Sequence, residues 1–298
     1  MAGARTRTVS MMDNALGRFI RARRELVAPA EVGLPEGTRR RTPGLRREEL
    51  SLLAGISIDY LVRLEQGRDR HPSAHVLEAL GRVLALDDEA LAHLHALAAD
   101  RPARRRPRRR PERVRPSLVR LVEGMTDQPA FITGRYLDVL AANALASALS
   151  PAFVPGRNVL RETFLAEEAC GAYVDIERVR ADTAAALRAS VGTDLDDPRL
   201  TELVGELSLK SPEFRRLWAR QDVRNKTTGR KQYRNPLVGD LELGYDTLEI
   251  SGTDGQLLVV YSAEPGSRDE QALQLLAQLV HGDQGDKLNA AYRASVPS

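Results

Sequence analysis

Ile58, Asp59, Tyr60, Val62 and Arg63 stand close together on a stretch whose apolar positions, Leu61 and Leu64, repeat at helical spacing. On the open face of a helix these types suit one task well, which is meeting base edges in a DNA major groove wide enough to admit a helix. Ile58 could meet a thymine methyl, and Asp59 could accept from a cytosine amino group. Asp59 could equally favour the positive end of its own helix. Arg63 is the one cation of that face.

Such a face must be held by a partner helix. Leu50, Leu53 and Ala54 give a preceding helix one apolar edge, and Gly55-Ile56-Ser57 separates the two. Gly55 suits a left-handed helix end, Ile56 can plug the space between the helices, and Ser57 is a good N-cap. So short a turn leaves room only for two helices crossing steeply. The run Arg46 to Gly67, RREELSLLAGISIDYLVRLEQG, resembles the helix-turn-helix of the Xre and lambda-repressor class, in which the second helix lies in the major groove. That resemblance implies an all-α DNA-binding domain. By position it places Arg47, Ile58, Asp59, Tyr60, Val62 and Arg63 near bases or phosphates, and the partner implied is double-stranded DNA; Ser57, at the cap of the second helix, is a further DNA-contact candidate. Arg46, Arg68, Arg70 and the loop run Arg39, Arg40 and Arg41 are further candidates for phosphate contact.

Charge is divided along the 298 residues. Residues 1–116 hold 24 Arg and no Lys against 15 acidic residues, while the remainder has 20 basic and 26 acidic residues. A cationic first part is the footprint of a polyanion binder, and the acidic remainder should stay off DNA. One cysteine, Cys170, excludes an internal disulfide framework and is read as a buried structural thiol. His71, His75, His93 and His95 lack a supporting ligand set, so no metal and no cofactor is expected. The sequence has no Ser/His/Asp arrangement, Walker loop or Gly-rich dinucleotide turn, so an enzyme is not expected. No apolar run approaches the roughly 20 residues that span a bilayer. With no signal-peptide core, a cytoplasmic protein without membrane contact is the expectation.

The expected order is a loose arm over 1–13, a five-helix domain over 14–99, a linker over 100–116, a second domain over 117–282 and a tail over 283–298. Asn14, Ser73 and Asp87 are read as helix caps, with Arg18, Arg21 and Arg24 turned outward from the first helix. The linker holds four prolines and nine arginines, a self-repelling composition that favours extended chain. Beyond it, PAFITG and YLDVLAAN read as neighbouring strands and NALASALS as a helix. Further helices are expected over 169–189, 198–207, 212–220 and 269–279, the last with Ala272, Leu275, Leu276 and Leu279 on one side. Alternation over 237–243, running on into TLEISG, and the apolar LLVVYSA after the GTDG turn predict a closing meander. The outcome is an α+β domain with an antiparallel sheet and helical cover on one face.

LVRLVEGMTDQPAFITGRYLDVLAANALASAL, LSLKSPEFRRLWARQDVR and NPLVGDLELGYDTLEISGTDGQLLVVYSAEPGS together look like the MmyB-type ligand-binding domain. This PAS-like module is usually fused to an Xre-type reader in actinobacterial regulators. The resemblance implies a transcription regulator sensing a small apolar or acyl-chain, fatty-acid-like ligand. Tyr136, Asn143, Arg157, Asn158, Arg178 and Trp218 are the candidate ligand contacts. Tyr and Trp bring apolar area with one polar tip, and an Arg can pair with a carboxylate. Trp218 also suits a core and Asn143 a helix cap. Gln221 and Asn235 stand where the family commonly has His. Palindromic half-sites suit a homodimer. The competing expectation is a second domain that serves only dimerisation or docking of a partner protein.

Overall fold

The computed structural model describes residues 14–35, 44–99, 112–225 and 227–282. The arm, most of the linker, the tail and the Arg39 to Arg41 run lie outside the described residues. The chain forms two compact units, one of residues up to Arg105 together with Val191–Asn225, the other of Arg106–Ser190 together with residues from Lys226 on.

The first unit opens with α1 (Ala15–Leu26), which buries Leu16, Phe19 and Ile20, and α2 (Arg47–Ala54). Gly55 takes the left-handed conformation, φ 68°, that ends α2 and lets α3 (Ile58–Glu65) cross it. Ser57 caps α3 by accepting from Tyr60 N at 3.2 Å. Ser73 and Asp87 cap α4 (Ala74–Val83) and α5 (Asp88–Ala98) in the same way. Asn14 departs from expectation. Its side chain makes no cap bond and instead donates to Glu65 O at 2.9 Å, tying the start of α1 to the end of α3.

Arg24, expected outward, is also corrected, because it is buried and bonded to Glu65 and to Leu45 O. The crossing of α1 and α3 is close at Gly17, where a Cβ would stand 2.5 Å from the backbone oxygens of both Leu64 and Glu65. Backbone cannot swing aside as a side chain can. Gly17→Ala is therefore expected to lose about 1–3 kcal/mol of stability, the usual cost of overpacking, read as a lower unfolding midpoint in denaturant.

The second unit begins with α6 (Pro116–Glu123), followed by the strand pair β1 (Ala130–Thr133) and β2 (Val139–Ala142) and then α7 (Ala144–Leu149). Helices α8 (Val159–Leu165), α9 (Glu167–Gly171) and α10 (Ile176–Val191) follow. The single helix expected over 169–189 is broken, because Tyr173 forms a bridge to Tyr233 and Val174 N donates to Gln232 O, which pulls the chain out of helix. The chain then gives α11 (Pro198–Lys210) and α12 (Pro212–Ala219) to the first unit. There Asn225 N donates to Glu89 at 2.6 Å and Arg23 pairs with Asp222.

On its return the chain forms β3 (Thr228–Asn235), β4 (Gly239–Glu249), β5 (Leu257–Ser262) and α13 (Arg268–His281). The five strands make one antiparallel sheet in the order β2-β1-β5-β4-β3. One face carries Phe131, Tyr233, Leu243, Tyr245 and Tyr261 under α7, α10 and α13, where α13 buries Leu273, Leu276 and Ala277 and leaves Leu275 exposed. The other face is not bare, since Val122, Leu118 and Val119 of α6 cover Ala130, Ile132, Ala141 and Leu258.

Candidate nucleic-acid interface and effector-binding face

In the first unit the proposed reading face is held from behind. The Glu65 side chain, 2% exposed at the end of α3, accepts from Arg24 Nε at 2.8 Å and from Arg47 Nε at 2.6 Å. One carboxylate thereby links all three helices that place the face. Asp59 and Arg63 are exposed, Ile58 is largely so, and Tyr60 and Val62 are half-buried. The Arg63 guanidinium lies over the Tyr60 ring, 5.5 Å from its centroid, so the planar cation is pre-oriented while its edge stays open. Burial pushes the Tyr60 phenol above its usual range, helped by Asp69 and opposed by Arg63, and it stays a neutral donor.

Arg46, Arg68 and Arg70 are exposed. Arg70 Nε donates to Gly67 O at 3.0 Å, which holds its head beside the end of α3. Arg47 is half-exposed and shares its guanidinium with Glu65. Together with Arg21, Arg24, Arg46, Glu25 and Glu48 it lines a cleft of about 300 Å³ at the start of α2. Arg21 belongs to this basic rim although spacing alone gave it no task. His93 is buried, with its ring against Phe19 at 5.4 Å, and among the described residues no group of His, Cys, Asp and Glu is arranged to hold a metal ion.

Of the six residues expected to contact a ligand, Tyr136, Arg157 and Asn158 meet at the turn between β1 and β2, while Asn143, Arg178 and Trp218 lie elsewhere. Asn143 Oδ1 accepts from Ala130 N and Ala146 N, and its Nδ2 donates to Met125 O and Gln128 O. Asn158 Oδ1 accepts from Leu160 N and Arg161 N, and its Nδ2 donates to Tyr136 O and Asp138. A primary amide offers two donors and two acceptor sites, so neither asparagine keeps one for a ligand. Both pin backbone.

Arg157 pairs with Glu162 at 2.9 Å beside Asn158, while Arg178 is exposed at the start of α10. Tyr136 is buried in the turn between β1 and β2. Trp218 stacks on Phe214 at 5.8 Å in the first unit, apart from the other five in the chain's division. Asn235 donates to Ala148 O and accepts from Leu237 N, and Gln221 follows α12 with φ 59°.

What the spacing did not reveal is an aromatic layer on the helix-covered face of the sheet. Phe131, Phe153, Tyr233, Tyr245 and Tyr261 lie with ring centroids 4.3 to 6.3 Å apart. Into it reaches Lys231 of β3, whose ammonium donates to Tyr261 Oη at 3.3 Å and stands 5.1 Å from the Tyr245 ring centroid. Burial pushes Lys231 down to about 8, against the pull of Asp182 upward, and it remains mostly charged at neutral pH. Burial likewise pushes Tyr173 up to about 12 and lifts Tyr233 and Tyr261 well above their usual range, so all three hydroxyls keep their protons.

Residues 114–276 match the family model described as MmyB-like transcription regulator ligand binding domain, which covers more than half of the chain. Residues 15–94 match a helix-turn-helix domain family. No curated protein matches the chain. Among the described residues no helix is long and apolar enough to cross a membrane.

Proposed function

We propose that this chain, which belongs to the MmyB-like transcription regulator family and carries a helix-turn-helix domain before its ligand binding domain, reads a specific DNA sequence through α3 and adjusts that reading to a small, apolar, fatty-acid-like effector. The observation that carries the DNA half is the exposed Ile58 to Arg63 face, with Arg63 poised over Tyr60 and the whole helix fixed at Glu65. Arg46, Arg68, Arg70 and the shared Arg47 supply phosphate contacts around it, and Ser57 sets the helix N-terminus toward the backbone. The effector half is supported by the aromatic layer beneath helices in the second unit. A homodimer reading two related half-sites suits such a reader, because two-fold symmetry in the protein then matches two-fold symmetry in the site.

Immunoprecipitation of bound genomic fragments supplies the operator, and a labelled fragment then tests the reading. Arg63→Ala should weaken operator binding about ten- to a hundredfold, from the roughly 1–3 kcal/mol carried by a base-contacting arginine. Removing a single arginine between Arg104 and Arg110 should act less and mainly reduce the salt dependence. Equal binding by wild type and Arg63→Ala at moderate salt would show that α3 is not the reading helix. A second unit that takes up no apolar molecule in native mass spectrometry, while still forming dimers or holding a protein, would make it a docking module instead.

A further inference from the structure

The chain passes from the first unit into β3 with almost no slack. Asn225 N donates to the Glu89 side chain at 2.6 Å, and Thr227 O accepts from Thr247 N at 2.7 Å, which extends the β3–β4 ladder. Only Lys226 stands between the two bonded residues. β3 lies at the end of the sheet, and its outer edge is bonded at Gln232 and Arg234, to Val174 and Ala172. Among the described residues the backbone from Thr228 to Lys231 is therefore held by β4 alone, and a strand bonded on one side opens more readily than one bonded on two. Just upstream the chain is tied to the first unit a second time. One Asp222 carboxylate oxygen pairs with Arg23 of α1, and the other takes Arg220 Nε at 2.9 Å. Gln221, between Arg220 and Asp222, has φ 59°, a costly conformation for a residue with a side chain and one that persists only where its surroundings hold it.

We propose that the corner from Gln221 to Thr227 couples the second unit to the DNA reader, with Asp222 and Glu89 as the positioning residues that receive a movement of the near half of β3. Each residue of chain adds at most about 3.6 Å of reach, so a shift of that size in β3 must move Asn225 or break its bond. From Asn225 the load passes to α5 at Glu89, and from Asp222 to α1 at Arg23. α1 is in turn bonded to the end of α3 through Asn14 and Arg24. Arg23 and Asp222 are both partly exposed, and ion pairs of that kind are weak enough to be remade in a second arrangement. The proposal rests on the reading of the first unit as a DNA reader and adds the residues through which that reading is adjusted.

Coupling between sites is reciprocal, so it can be read from the DNA side with no effector present. The test uses the full chain, the operator fragment recovered by immunoprecipitation, and amide hydrogen exchange. Operator should slow exchange in α3 and also change exchange in residues 228–231 by at least about fivefold, the lower end of coupling between sites. Insertion of Gly-Ser-Gly-Ser after Lys226 adds slack without removing a side chain. It should abolish the response in 228–231 while operator affinity and the protection of α3 are kept. Glu89→Ala, which takes the acceptor from Asn225 N and leaves the Asp87 cap in place, should weaken the same response. A response in 228–231 that survives either change in full, or a wild type that shows α3 protection and no such response, overturns the coupling and leaves the reader standing. An insertion variant that melts lower and loses α3 protection as well makes the corner a structural tie of the first unit and also overturns it. Absence of α3 protection in wild type overturns the DNA reading on which the coupling depends.

Discussion

Glu65→Ala loses about 3–5 kcal/mol of stability in the first unit, the loss expected when one partner of a buried ion pair is removed and the other stays behind. The carboxylate is the common acceptor of Arg24 and Arg47, and Arg24 is itself buried with a second bond to Leu45 O. Without Glu65 the Arg24 guanidinium keeps only Leu45 O and the looser contact to Glu25 at 3.8 Å, and its Nε must find a new acceptor by moving α1 or the Leu45 segment. Arg47 is 43% exposed, so Arg47→Ala should lose only about 1 kcal/mol or less. Amide hydrogen exchange in α1 and α3, together with thermal melting, reads both. The pair Arg24→Met with Glu65→Met should recover much of the loss, because a buried ion pair exchanged for apolar side chains is often neutral. A Glu65→Ala protein that melts like wild type would show that the three-helix junction does not depend on this carboxylate. Operator binding should fall with stability in Glu65→Ala although Glu65 faces away from solvent, since α3 loses its anchor.

The second large effect lies at Asn143. Asn143→Ala should lose about 3–5 kcal/mol, because two backbone N–H groups and two carbonyls lose their partner at once, at roughly 1–3 kcal/mol for each one that stays buried and unsatisfied. The bonds join the end of α6, the entry to β1 and the start of α7, so their loss loosens one edge of the sheet and its cover together. Asn143→Asp keeps the acceptor and forfeits the two donors, and it should fall between wild type and Asn143→Ala. A midpoint for Asn143→Ala within about 1 kcal/mol of wild type would mean that water replaces the side chain without difficulty. The experiment also separates the two tasks considered for this residue, since a ligand contact would leave the stability of the empty protein nearly unchanged.

The reader was legible because its signals are local. Gly55, Ser57, Ser73 and Asp87 punctuate helices through bonds made within a few residues, and the apolar spacing between them needs no distant partner. Glu65 was not legible as a junction, because Arg24 and Arg47 lie 41 and 18 positions away and a charged residue in a helix ordinarily faces water. β3 shows the same limit. TGRKQYRN has almost no apolar alternation and becomes strand through its pairing with β4 from Thr228 to Asn235. Lys231 draws its setting from Tyr245 and Tyr261 on the neighbouring strands, so no window around it announces a buried cation. Asn143 and Asn158 are ambiguous for the opposite reason. A buried polar residue fits a ligand contact and a backbone pin equally until its partners are counted.

The interruption at Val191–Asn225 bears on biosynthesis. The ribosome delivers α1 to α5 early, yet the helical pair that completes their unit arrives only after the first part of the second unit has been made. At about 5–20 residues per second, the stretch between Ala98 and Val191 represents roughly 5–20 s of translation. During that interval Arg23 and Glu89 have no Asp222 or Asn225 to meet. The first unit therefore closes late, after the β1–β2 pair and α6 to α10 have been made but before β3, β4, β5 and α13 exist, and a chain broken off in between lacks the bonds at Arg23 and Glu89.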